Sequence, residues 1–135
     1  MIGVVIVTNG QLAIELLNAA ETIVGDLPRF AAVSIGWYEE TQDAREEIAR
    51  AIARVQQGKG VLILTDMFDG TPSNLAMSFL GEEAVEVVTG VNLPMLVKLA
   101  NMPEQSDLLG VARELREHGR SAIWVASDLL RAVKQ

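Results

Sequence analysis

The chain has 135 residues, half of them hydrophobic and only 4% aromatic, with a formal charge of −7. That length fits one domain spanning residues 1–135, and the composition argues against disorder and requires a core of Val, Ile, Leu, Ala and Met. With 18 acidic and 11 basic residues and no Lys/Arg cluster, the sequence disfavours nucleic acid and favours a partner with a basic face, while the lack of cysteine excludes disulfides and thiolate chemistry.

No apolar run approaches the roughly 20 residues a membrane helix needs, so no direct membrane insertion is expected. The opening MIGVVIVTNG lacks a basic leader and a small-residue cleavage pattern, which places the protein in the cytoplasm. Ile2–Val7 instead reads as a strand covered on both faces and ending at Asn9-Gly10. Leu12–Val24 has helical apolar spacing, with Gly25 as its stop. Phe30–Ile35 is the second strand. Thr41 is a candidate cap for a helix running to about Gln57, with an apolar stripe of Ile48, Ile52 and Val55. Val61–Leu64 is the third strand. Asp66–Thr71 is a loop, and Pro72 opens a helix through Leu80. Ala84–Val88 is the fourth strand. Leu93–Met102 and Asp107–His118 are helices, the second stopped by Gly119. Ser121–Ala126 reads as a fifth strand, and the tail from Ser127 is either a short helix or a frayed end. This alternation predicts an α/β fold: a doubly wound, mostly parallel sheet of about five strands with helices on both faces. The last strand fits either a right-handed crossover or an antiparallel edge.

In such sheets ligands bind beyond the carboxyl ends of the strands, at the topological switch point. The four strand ends are Thr8-Asn9-Gly10, Gly36-Trp37-Tyr38, the Asp66–Asn74 loop and Thr89-Gly90-Val91-Asn92. They are rich in small and hydroxyl residues that let backbone amides approach an anion, and a phosphoryl group is the natural guest. Gly70, Thr71, Ser73 and Asn74 are candidates to bind it, together with Thr8 and Gly10; Trp37, Phe68 and Asn92 are placed on the rim. Each residue also has a plainer reading. Asn9-Gly10 can be only a turn, Asp66 a capping carboxylate, Trp37 an aromatic closing a strand end, and Asn92 a turn residue. His118, the only histidine, sits where it complements a helix dipole. The convergence of several such loops on one sheet edge favours the functional reading.

Three segments carry a family resemblance: Ile-Val-Thr-Asn-Gly near the start, Asp66-Met-Phe-Asp-Gly-Thr-Pro-Ser-Asn74, and Thr89-Gly-Val-Asn-Leu-Pro-Met95. Together they resemble the enzyme IIA domain of the mannose family of the sugar phosphotransferase system, over almost the whole chain. The resemblance implies a cofactor-free, metal-free phosphocarrier. It would take a phosphoryl group from the histidine phosphocarrier protein and pass it to enzyme IIB for sugar uptake, and it would form a homodimer. The phosphoryl acceptor of that family is a histidine after the first strand, beside a carboxylate matching Asp66 and near a hydroxyl matching Thr71.

This chain departs from the pattern at that one decisive position, where Asn9 stands. A carboxamide nitrogen is delocalised into its carbonyl and is a poor nucleophile, so Asn9 can hydrogen-bond like one ring nitrogen but cannot carry the group. Asn9 is then a deliberate substitution giving an unphosphorylatable form, a native change giving a regulatory binding module, or an error in the sequence. A receiver-type domain phosphorylated on Asp66 is a further alternative. It needs an acidic pair after the first strand, which Thr-Asn-Gly does not supply.

Overall fold

The computed structural model describes residues 1–82, 84–103 and 107–134. Ten elements follow in chain order: β1 (Gly3–Asn9), α1 (Leu12–Val24), β2 (Phe30–Ile35), α2 (Thr41–Val55), β3 (Val61–Thr65), α3 (Thr71–Met77), β4 (Val85–Thr89), α4 (Leu93–Asn101), α5 (Leu108–Ser121) and α6 (Ala126–Lys134). The strands form one sheet in the order β2-β1-β3-β4 with every pairing parallel. The chain leaves β1 towards β2 on one side and later returns to β3 on the other, so the switch point lies between β1 and β3.

Periodicity explains the layers. Val4 to Val7 form an unbroken apolar run, so both faces of β1 need cover, and all four are fully buried. One face packs Ile2, Val4, Ile6, Leu62 and Leu64 against α1, α4 and α5 through Ala13, Ala20, Met95, Leu96, Leu99, Val111 and Leu115. The other packs Val5, Val7, Val33, Ile35 and Ile63 against α2 and α3 through Ala44, Ile48, Val55, Leu75 and Phe79. Gly3 has no side chain because a Cβ there would collide with the Val55 carbonyl oxygen. At the opposite end of the sheet from the candidate site, Arg29 is buried and donates to the carbonyls of Ile2 (2.9 Å) and Leu99 (3.1 Å). Burial lowers its pKa.

The sequence reading needs correction near its end. Among the described residues the sheet has four strands, and Ser121–Ala126 is not a fifth. Ser121 closes α5, residues 122–125 form a connection, and Ala126 opens α6. A short apolar run looks alike in a strand and at a helix junction, and what decides between them is the presence of a neighbouring strand to pair with. Among the described residues this run pairs with no strand, and Ile123, Trp124 and Val125 remain exposed. Nor does Gly119 end α5. The helix continues through it to Ser121, and glycine stands there because Met95 crosses and a Cβ would lie 2.6 Å from its sulfur. Glu40, not Thr41, occupies the N-cap of α2, without a side-chain cap bond. Helix α3 ends at Met77, short of the expected Leu80, and gives way to turns. Among the described residues no helix is long and apolar enough to cross a membrane.

Candidate functional site

The switch point sets the geometry. Val7 lies opposite Thr65, so Thr8-Asn9 and Asp66 emerge from adjacent strand ends.

Thr8 is fully buried, and its hydroxyl accepts a hydrogen bond from the Ala13 amide at 2.8 Å. That bond ties β1 to the first turn of α1 and satisfies a donor the helix leaves free. Asn9 is half-buried, and its Nδ2 makes one long contact, 3.5 Å to the Ile35 carbonyl. Gly10 turns the chain with φ +61°, a conformation that favours glycine, and donates its own amide to Ile35 at 3.0 Å. The indole nitrogen of Trp37 lies 3.6 Å from where a Gly10 Cβ would sit, so Trp37 covers this turn. Asp66 is half-buried, and one carboxylate oxygen accepts from the Met67 amide at 3.0 Å.

Buried hydroxyls fix the loop after β3. Thr65 Oγ1 and Ser73 Oγ are 2.6 Å apart, and Ser73 also donates to the Met67 carbonyl. Ser73 is fully buried, so it holds the loop's shape from beneath. Thr71 and Asn74 are exposed at the start of α3, with Gly70 as its N-cap and Pro72 in its first turn. The Thr65 carbonyl accepts from Gly90 (2.8 Å) and Val91 (2.9 Å), which fastens the β4 end to the same corner.

Asn92 has a different surrounding. Its Oδ1 caps α4 through the Met95 amide (3.1 Å), and its Nδ2 donates to the Gly119 carbonyl (3.1 Å), clamping α4 to α5. It borders a groove of about 390 Å³ running along β4 and α5, which Arg113, Arg116, Arg120 and Ile123 also line. His118 lies on α5, where its carbonyl accepts from Ala122 and Ser121.

Sequence reasoning missed two features of the rim. Tyr38 is fully exposed next to Trp37, and Met67 is 63% exposed beside Phe68. Large apolar side chains in solvent around a polar strand-end site mark a contact surface. The signal was their position in strand-end loops. Among the described residues no group of three or more His, Cys, Asp or Glu could hold a metal ion.

An open parallel sheet with polar loops at the β1/β3 switch point defines the class: an α/β domain with helices on both faces of a four-stranded sheet. The family model described as the PTS system fructose IIA component matches residues 3–115, and the chain belongs to that family. It is 31% identical over 135 residues to the PTS system fructose-specific EIIA component of Bacillus subtilis, covering 99% of this chain and 92% of that protein. It is 32% identical over 127 residues to the PTS system mannose-specific EIIAB component of Escherichia coli, covering 90% of this chain but only 39% of that longer protein. The solved mannose/sorbose specific IIA subunit from Enterococcus faecalis superposes with a TM-score of 0.83 at 28% identity, over 92% of this chain and 93% of that one. Family membership supports a phosphocarrier role in sugar uptake.

Proposed function

We propose that this chain keeps the shape of a mannose-type enzyme IIA phosphocarrier, and binds its partners in the cytoplasm, without carrying the phosphoryl group itself. The observation behind this reading is Asn9 at the end of β1, beside the end of β3; the shell proposed around it is Thr8, Gly10, Asp66, Gly70, Thr71, Ser73 and Asn74. A histidine there would have its tautomer set by a hydrogen bond to Asp66, leaving the other ring nitrogen free to attack phosphorus. The amides at the start of α3 would compensate the incoming charge. Asn9 supplies no such nucleophile.

The partners on this reading are the histidine phosphocarrier protein and enzyme IIB. The apolar rim of Trp37, Tyr38, Met67 and Phe68 provides contact area, and the acidic balance of the chain suits a basic docking face. A homodimer is part of the same reading. Its support is the exposed run Ile123, Trp124 and Val125, continued by Leu129 and Leu130 on α6, beside the open edge of β4.

The test is titration with the phosphorylated histidine phosphocarrier protein. Salt-sensitive binding without transfer of label is expected. Asn9→His is expected to restore acid-labile phosphorylation. If the folded Asn9→His protein takes up no label, the phosphocarrier reading of this site fails. If the unaltered chain is labelled instead, Asn9 is not the barrier proposed.

A further inference from the structure

The end of β1 has a chemistry of its own that phosphoryl relay does not use. Of the five asparagines in the chain, Asn9 alone precedes a glycine. Asparagine is among the thermally labile residues, and a following glycine leaves the next amide nitrogen unhindered because it carries no side chain. Gly10 is also held at φ +61°, turned away from the strand. The Asn9 carboxamide is half-buried and weakly held, since its Nδ2 contact to the Ile35 carbonyl is 3.5 Å long. The same carbonyl accepts the Gly10 amide at 3.0 Å. One oxygen thus draws together the backbone nitrogen suited to attack and the side-chain nitrogen suited to leave.

Two features hold that reaction back. Asn9 and Ile35 are the last pair of the β1–β2 ladder, so Asn9 must give up its extended conformation and Gly10 must release Ile35 before attack. Apart from chain neighbours, the Trp37 indole nitrogen is the one described atom within 4 Å of where a Gly10 Cβ would sit, at 3.6 Å. Trp37 is therefore the cover over this strand end, and it is itself 74% exposed.

We propose that Asn9-Gly10 is a self-modification site, where the Gly10 nitrogen displaces ammonia from the Asn9 side chain and Trp37 sets how often the strand end opens to allow it.

Hydroxide or water takes the Gly10 amide proton, and the nitrogen bonds to Cγ of Asn9. The Cγ–Nδ2 bond breaks and Nδ2 leaves as ammonia, closing a succinimide ring. Water then opens one imide bond. Breaking the bond to Cγ leaves aspartate, and breaking the bond to the backbone carbonyl carbon leaves isoaspartate. Nothing is oxidised or reduced. Either product carries a carboxylate where a neutral amide stood. Asn9 and Asp66 leave adjacent strand ends, so two negative charges then share the corner and oppose an incoming anion. The modification depends on Asn9, Gly10 and Trp37 and not on the partners proposed above.

The test incubates the folded chain at mildly alkaline pH. Peptide mass mapping, ammonia release and isoaspartyl methyltransferase labelling follow the product, with Gly10 amide hydrogen exchange measured in parallel. Modification is expected at Asn9, with Asn18 and Asn74 unchanged although both are exposed. Opening precedes attack, so exchange and deamidation share one opening equilibrium. W37A removes an exposed side chain and should keep the fold, checked by circular dichroism. It is expected to raise both rates together about fivefold, the effect of losing one contact of hydrogen-bond strength. N9Q, which needs a larger ring, should release no ammonia from this position on the same time scale. The proposal is overturned if Asn9 stays intact while the unfolded chain is modified, if Asn18 or Asn74 reacts as fast, or if W37A leaves Asn9 deamidation unchanged.

Discussion

Two apolar segments of similar composition meet opposite fates. Val4, Val5, Ile6 and Val7 are fully buried in the middle of the sheet. Ile123, Trp124 and Val125 are 76%, 57% and 65% exposed at the junction of α5 and α6. Both runs favour extended backbone, yet only the first becomes a strand. The first lies between β2 and β3, with α1 on one face and α2 on the other, so its amides and side chains are both satisfied. The second forms no pairing with the edge of β4, and its backbone turns into α6. Apolar character states a need for cover, and the neighbours decide how it is met.

Mutations can break or sharpen that contrast. The largest effect is expected from Ile6→Ala, which opens a cavity in the best-packed strand and should cost about 2–5 kcal/mol in chemical denaturation. Gly3→Ala forces a methyl group onto the Val55 backbone and should cost about 3 kcal/mol by the same measurement. Thr8→Val removes the acceptor for the buried Ala13 amide and should cost about 2 kcal/mol, with faster exchange at Ala13. The smallest effect is expected at the other segment. Ile123→Ser should alter stability by about 0.5 kcal/mol or less at dilutions where the chain is monomeric. It should weaken self-association at higher concentration, read by sedimentation velocity. If Ile123→Ser costs as much as Ile6→Ala at every concentration, the exposed segment is buried within the folding unit and the contrast fails.

The same contrast explains what the sequence could disclose. β2 and α1 were read with their observed bounds because each has a clean period and a sharp stop at Gly25 or Gly36. The alternation of elements pointed to four strand ends, and the structure puts the switch point between β1 and β3, where Thr8-Asn9 and Asp66 leave adjacent strands. What was not legible depends on contacts distant in sequence. Gly119 looked like a helix stop, and only the crossing of Met95 shows why a glycine stands within the helix. Asn92 was placed on the site rim, where the loops suggested anion contacts. Its two hydrogen bonds instead join α4 to α5, and the second partner lies 27 residues away. Ser73 was read as a phosphoryl-binding hydroxyl, and its burial beneath the loop with its bond to Thr65 also makes it a brace, which no local pattern shows.

The single long contact made by the Asn9 side chain has an evolutionary consequence. The amides of Gly10, the hydroxyl of Thr8 and the loop after β3 hold the corner together without help from the side chain at position 9. Asparagine and histidine codons differ by one base. On the reading proposed above, chemistry at this position would be lost or regained in a single mutational step, with the rest of the molecule under no pressure to compensate.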